Sequence, residues 1–217
     1  SRSRESGLSK GMRRVILMVS PEACASGRSL KPAPLLAALA LLLAASAAIA
    51  TEARDPDEYF FTPTFGDLRE EAEIAREDGK IGMLLFFMAD ACPYCQHMVE
   101  KVFTRPAVQD WYRERFVSIA VDIHGDVELI DFDGIALPSK VFADHREVFL
   151  TPVVSFIDFD GNEIYRHLGM VRTPEDMLLL GKYIEGKHYF DTEYRTFAEQ
   201  QGVPEKVLLV TPGEETE

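Results

Sequence analysis

Cysteine is scarce in this sequence, which has three cysteines among 217 residues. A fold held together by several disulfides is therefore excluded. Structural zinc is also disfavoured, because it needs four ligands and the chain has no second Cys-x-x-Cys and no His-x3-His. Cys24 lies near the N-terminus, whereas Cys92 and Cys95 form the motif Cys-Pro-Tyr-Cys. The chemistry of that pair must be judged on its own.

Basic residues are also few, with 23 Lys and Arg against 36 Asp and Glu and a net charge of −13. Without residues 1–50 the balance becomes 16 basic against 34 acidic residues, a net charge of −18. Such a negative surface repels the phosphates of nucleic acids and anionic lipids. We expect neither as a partner.

Residues 1–50 have the composition of an export signal. Arg28 and Lys31 precede an uninterrupted apolar stretch over 35–49, and Ala48-Ile49-Ala50 offers the small residues that a signal peptidase recognises. We predict cleavage after Ala50 and a periplasmic location. An uncleaved membrane anchor is the alternative, although the stretch is short and rich in alanine for a membrane span. Cleavage also removes Cys24, so Cys92 and Cys95 become the only thiols.

The remainder has the size of one domain. We predict an extended N-terminal segment at 51–63 anchored by Tyr59-Phe60-Phe61, a folded domain at 64–201 and a tail at 202–217. The hydrophobic periodicity predicts alternating helices and strands, typical of an α/β sheet. The expected helices lie at 64–78, 106–115, 139–145 and 192–201. Two more are expected: one that starts at the cysteine motif and breaks near 104–106, and one that is capped by Thr173. The expected strands lie at 81–89, 116–123, 153–159 and 163–168.

The region 124–150 is predicted to be long and mostly irregular. It contains the pentapeptide Ile-Asp-Phe-Asp-Gly at 130–134, which recurs at 157–161. A single recurrence does not make a repeat architecture. We interpret it as two hairpins that use the same Asp-Gly turn.

The cysteine motif follows a charge-free apolar run and stands where a strand would pass into a helix. Pro93 suits the first position of that helix, which places Cys92 at its N-terminus. Unpaired N–H groups and the helix dipole favour a thiolate there. The spacing puts Cys95 on the same face. Cys92 is thus the candidate nucleophile and Cys95 the resolving thiol.

Other interpretations of the pair remain open. Thiolates bind copper(I), and His97 could add a third ligand, as in a metallochaperone. The pair could also be inert. We expect His97 to be a solvated helix residue pointing away from the cysteines, and the other four histidines to lie at the surface. Tyr94 either contacts substrate or covers the site.

The order of elements, the Cys-Pro-Tyr-Cys motif at a helix start and Thr151-Pro152 before a strand together resemble the thioredoxin superfamily, over roughly residues 64–186. Within it the chain is most similar to exported thioredoxin-like proteins of the SoxW type. The resemblance implies a thioredoxin-like fold, with a central mixed sheet flanked by helices and an enlarged loop before a cis-proline. It also implies that Thr151 and Pro152, with Pro93 and Tyr94, bind substrate beside the cysteines.

Two positions depart from the family pattern. Ala91 stands where thioredoxins commonly have tryptophan, and Phe86 stands where they have a buried aspartate that assists proton transfer to the resolving thiol. Asp90 and Asp122 are candidates for that proton transfer, and the sequence does not rank them.

The resemblance implies a thiol:disulfide oxidoreductase that needs no cofactor and acts on client proteins with disulfides. A reductase would draw electrons from a membrane thiol-relay protein, whereas an oxidase would need a quinone-linked partner. The direction is open. The alternatives are a copper(I) chaperone, a redox-inactive adaptor and a dimeric isomerase. Since no dimerisation segment is evident, we expect a monomer.

Overall fold

The computed structural model describes residues 52–64 and 66–203. The predicted export signal, Phe65 and residues 204–217 of the predicted tail lie outside the described residues. The helices are α1 Pro56–Tyr59, α2 Leu68–Glu77, α3 Pro93–His97, α4 Pro106–Arg115, α5 Ser139–His145, α6 Pro174–Glu185 and α7 Tyr194–Gln200, with a π-helical turn at Met98–Val102 and a 3-10 turn at His188–Phe190. The strands are β1 Gly82–Met88, β2 Phe116–Asp122, β3 Glu128–Ile130, β4 Ala136–Pro138, β5 Val153–Ile157 and β6 Glu163–Leu168.

The main sheet has the strand order β2-β1-β5-β6. Strand β1 is parallel to β2 and antiparallel to β5, and β6 is antiparallel to β5. Residues 82–87 of β1 are buried, as expected for a central strand covered on both faces by helices. The predicted central mixed sheet with flanking helices is confirmed.

The region 124–150 is more regular than predicted. Strands β3 and β4 pair into a second, two-stranded sheet, and α5 follows. The two copies of Ile-Asp-Phe-Asp-Gly form matching turns. The carboxylate of Asp131 accepts the amide N–H groups of Asp133 and Ile135. In the same way, the carboxylate of Asp158 accepts those of Asp160 and Asn162. Each turn ends on a glycine with positive φ. The prediction of two hairpins with one turn chemistry is confirmed.

Local capping sets the helix starts. Helix α2 begins at Leu68 rather than at 64, because the Asp67 carboxylate accepts the amide N–H groups of Arg69 and Glu70. Helix α6 begins after Thr173 as predicted, with the Thr173 hydroxyl accepting the amide of Asp176. Helices α3, α4 and α6 each have proline in the first turn.

The sequence predicted an extended N-terminal segment at 51–63, but part of this segment is helical. Asp55 caps α1, which brings Phe60 and Phe61 into the core. The rings of Phe60 and Phe103 are stacked with their centroids 4.1 Å apart. The rings of Phe103 and Phe86 meet edge-on with their centroids 5.0 Å apart. Phe60 and Phe61 therefore anchor the segment in the hydrophobic core, whereas its other described residues are half-buried or exposed. None of the helices in the described part of the chain is long and apolar enough to cross a membrane.

Candidate active site

The sheet brings two distant parts of the chain to one edge. Strand β1 ends at Met88, just before the cysteine motif, and β5 begins at Val153, just after Pro152. Because the strands are antiparallel and Phe87 pairs with Val153, the end of β1 and the start of β5 coincide. The loop before α3 and the Thr151-Pro152 loop therefore share this edge.

Cys92 and Cys95 are joined by a disulfide, with their Cα atoms 5.2 Å apart. Cys92 is the N-cap of α3, and its sulfur accepts the amide N–H of Cys95 at 3.1 Å. Cys92 is 8% exposed and Cys95 is fully buried. A donor aimed at the outer sulfur stabilises negative charge on it. The geometry thus suits attack by Cys92 and resolution by Cys95.

His97 lies at the end of the same helix, and the expectation that it is solvated was wrong. Its ring is half-buried, and Nε2 lies 3.0 Å from the carbonyl oxygen of Arg172. Since a carbonyl only accepts, Nε2 carries the proton in this hydrogen bond. The bond connects the cysteine helix to the loop between β6 and α6. A π-helical turn follows directly at Met98–Val102, a geometry often found at functional sites.

The Thr151-Pro152 peptide bond is cis. The carbonyl of Pro152 accepts the amide of Gly169 and so joins β6. In the described part of the chain, no hydrogen bond engages the backbone amide or carbonyl of Thr151. Those two groups are free to pair with another extended chain.

A cavity of about 420 Å³ opens at this edge. One side is formed by Tyr94 of the cysteine motif together with residues 150–153. The other side is formed by residues 167–172, by Asp176 of α6 and by Tyr194 of α7. The cavity thus brings together three of the predicted substrate-binding residues, Tyr94, Thr151 and Pro152; Pro93 is exposed and does not line it.

His167, expected at the surface, is half-buried in the cavity wall. Its ring meets the Tyr194 ring edge-on at 5.7 Å. Desolvation lowers the pKa of His167 to about 4, so the imidazole is neutral near pH 7. No sequence spacing marks this histidine, because its environment is created by α7, a helix distant from it along the chain. The remaining three, His124, His145 and His188, are exposed as predicted.

Among the described residues, no buried acid takes the place of the aspartate that Phe86 replaces. Phe86 is fully buried, Asp90 is exposed, and half-buried Asp122 accepts the amide of His124. Asp131 is the one buried acidic residue in the described part of the chain, and its carboxylate holds the β3–β4 turn. Proton transfer to Cys95 thus has no side-chain acid in the position that thioredoxins use.

The copper hypothesis combined the two cysteines with His97 as a third ligand. Within residues 52–64 and 66–203, no group of three or more His, Cys, Asp or Glu side chains is arranged to hold a metal ion. His97 was the candidate, and its Nε2 is used by Arg172.

Comparison with solved structures finds proteins that resemble part of this chain. A thioredoxin-fold protein from Helicobacter pylori is 20% identical, with a TM-score of 0.47 over 57% of this chain and 86% of the other. The C-terminal domain of DsbD from Neisseria meningitidis, in the reduced form, is 20% identical, with a TM-score of 0.38 over 52% and 89%. A thioredoxin from Thermus thermophilus is 24% identical, with a TM-score of 0.41 over 53% and 82%.

A search of curated proteins gave no match. The sequence profile of the family described as "Thioredoxin-like domain" matches residues 68–185, which is more than half of the chain and spans the elements from α2 to α6. The match includes both cysteines and the cis-proline loop, and it ends before α7. This chain therefore belongs to the thioredoxin-like domain family.

Proposed function

We propose that this chain is an exported thiol:disulfide oxidoreductase, of the SoxW type, that reduces disulfides of periplasmic client proteins. One observation carries the proposal: a bonded Cys92–Cys95 pair at a helix N-terminus shares a sheet edge with the Thr151-Pro152 loop, in which the amide and carbonyl of Thr151 make no hydrogen bond to the described residues. The same residues serve reduction and oxidation, and the direction is set by the partner that supplies or removes electrons.

In the reduced protein, the Cys92 thiolate attacks one sulfur of the client disulfide. A Cys92–client disulfide forms, and the other client sulfur leaves as a thiolate that takes up a proton. Cys95 then loses its proton and attacks the sulfur of Cys92, which releases the second client thiol and closes the Cys92–Cys95 bond. Two electrons pass from the protein dithiol to the client, and no cofactor is needed.

The protein's own residues prepare this exchange. The Cys95 amide donates to the sulfur of Cys92 and favours its thiolate. Pro93 starts the helix that positions Cys92, and Tyr94 lines the same cavity as Pro152, where the client chain would pass. The amide and carbonyl of Thr151 pair with the client backbone. A membrane thiol-relay protein would restore the dithiol.

Insulin reduction with dithiothreitol as electron donor tests the activity. Wild type should accelerate the precipitation of reduced insulin chains, and Cys92→Ser should abolish the acceleration. Cys95→Ser should instead accumulate mixed disulfides with clients, since the resolving thiol is missing. Retention of turnover in both variants would rule out the proposed mechanism. Expression of the full chain, followed by fractionation and N-terminal sequencing, should find a periplasmic monomer that begins at Thr51.

A further inference from the structure

The cavity at the sheet edge extends beyond the part of the chain that matches the family profile. The match ends at residue 185, whereas the cavity wall includes Tyr194 of α7. A 3-10 turn and α7 follow α6, and Tyr194 of α7 packs against His167 of β6. The chain thus adds a wall to the edge at which the cysteines react.

That wall is held firmly in place. The Tyr183 hydroxyl of α6 donates to the carbonyl of Thr192 at 2.6 Å, just before α7. The Tyr194 ring packs edge-on against Tyr183 at 5.3 Å and against His167 at 5.7 Å, and Tyr194 is only 9% exposed. The hydrogen bond from His97 to Arg172 also fixes the loop after β6, which lines the same cavity. A cavity with fixed walls loses little freedom when it is filled.

The lining is apolar and carries no net charge. Leu150, Val153, Leu168, Met170 and Val171 are apolar residues of this lining. One cationic and one anionic residue, Arg172 and Asp176, line it together. A charged occupant would meet both signs and gain little from either. The His167 imidazole is neutral near pH 7 and makes no hydrogen bond to the described residues.

The position of the cavity indicates that part of a client polypeptide enters it. In the proposed exchange, a client polypeptide crosses Tyr94 and Pro152, and both of these residues line the cavity. In an extended chain a side chain two residues away points to the same side, about 7 Å further along. The volume of about 420 Å³ is within the range of pockets that enclose a ligand group.

We infer that this cavity is a specificity pocket that takes one aromatic or branched aliphatic side chain of the client polypeptide, close to the disulfide being exchanged. The inference rests on the proposed function and adds its substrate preference. Clients with an apolar residue near the reacting cysteine are exchanged faster, because the side chain leaves water when Cys92 attacks.

The test uses symmetric disulfide dimers of short Gly-Ser peptides that contain one cysteine. The peptides carry Phe or Ser either two residues before or two residues after that cysteine. Prereduced full-length protein is mixed with excess dimer, and peptide thiols are counted over time after alkylation. Each turnover converts one dimer and one protein dithiol into two peptide thiols and one protein disulfide. Hydroxyethyl disulfide, which is too small to fill the cavity, reports exchange without it.

For wild type, the Phe dimer of one orientation should react about tenfold or more faster than its Ser counterpart. Tyr194→Ala removes a wall and should reduce this ratio to below about threefold. Because Tyr194 is buried and its loss can disturb folding, Leu168→Ser is the second variant; Leu168 is 70% exposed and lines the cavity. The same drop is expected there.

Phe149→Ser is the matched control, since Phe149 is 68% exposed and adjacent to Leu150 but does not line the cavity. It should keep the wild-type ratio. If it loses the ratio as fully as Leu168→Ser, the preference belongs to the exposed apolar surface, and the pocket is refuted. Equal rates for Phe and Ser dimers in both orientations, with hydroxyethyl disulfide still reduced, overturn the pocket and leave the proposed function standing. Failure to exchange with any disulfide overturns both.

Discussion

The Nε2 atom of His97 lies 3.0 Å from the carbonyl oxygen of Arg172, 75 residues away in sequence. This hydrogen bond links the helix that carries both cysteines to the loop that forms one side of the cavity. The bond therefore fixes the position of the cysteine helix relative to this loop.

His97→Ala should lower the free energy of unfolding by about 1 kcal/mol, because a half-buried carbonyl loses its donor. His124→Ala is the matched control, since that side chain is exposed, and its effect should stay within about 0.5 kcal/mol. Urea unfolding followed by the fluorescence of Trp111, the sole tryptophan, measures both. Equal stability of the two variants would contradict a structural role for the His97 bond.

Phe86→Asp restores the acid found in thioredoxins and should destabilise the fold by more than about 4 kcal/mol. The substitution opens a cavity among Phe61, Phe86 and Phe103 and places a carboxylate there without a donor. Phe86→Leu keeps the site apolar and should cost about 1–2 kcal/mol. Denaturant unfolding at pH 7 compares the two. If Phe86→Asp is as stable as Phe86→Leu, the aromatic cluster does not exclude the acid.

His167 should make the fold less stable in acid. Its pKa of about 4 lies below the 6.5 of an exposed histidine, so between these pH values the unfolded chain binds a proton that the folded protein does not. Stability is therefore complete above pH 6.5 and falls as the pH drops towards 4. From pH 7.5 to pH 5, wild type should lose about 2 kcal/mol more than His167→Gln.

Unfolding curves at the two pH values measure this difference for wild type and His167→Gln. His124→Gln serves as the control, because His124 is exposed and should behave like wild type. If wild type and His167→Gln lose stability equally between pH 7.5 and 5, then His167 is solvated in the folded protein.

Gly181→Ala should destabilise the protein although alanine favours helices by about 1 kcal/mol. A Cβ at this position of α6 would overlap the Trp111 ring and lie 2.9 Å from the Tyr112 hydroxyl, which donates to the carbonyl of Met177. Crowding of this kind costs about 1–3 kcal/mol, so a net loss of about 1 kcal/mol is expected. Exposed Lys182→Ala is the control in the same helix. A more stable Gly181→Ala would mean that α4 and α6 can move apart.

Local sequence signals predicted most of the fold. The uninterrupted apolar run at 82–87 indicated a central strand, and proline or a hydroxyl at the helix starts fixed α4 and α6. The recurring Asp-Phe-Asp-Gly turns predicted both hairpins. Each of these signals acts within a few residues, so each can be interpreted without knowledge of the rest of the chain. Helix α1 was missed because it spans a single turn, which periodicity cannot reveal.

The sequence by itself determined the chemistry: one Cys-Pro-Tyr-Cys pair at a helix start, in a chain with one other cysteine. Tertiary structure decided the surroundings of that pair. It alone made His97 and His167 half-buried, filled the region of Phe86 with aromatic rings and built a cavity wall from Tyr194. The physical reason is range, since caps and turns form between neighbours in sequence, whereas desolvation and cavity shape depend on which distant segments the sheet brings together.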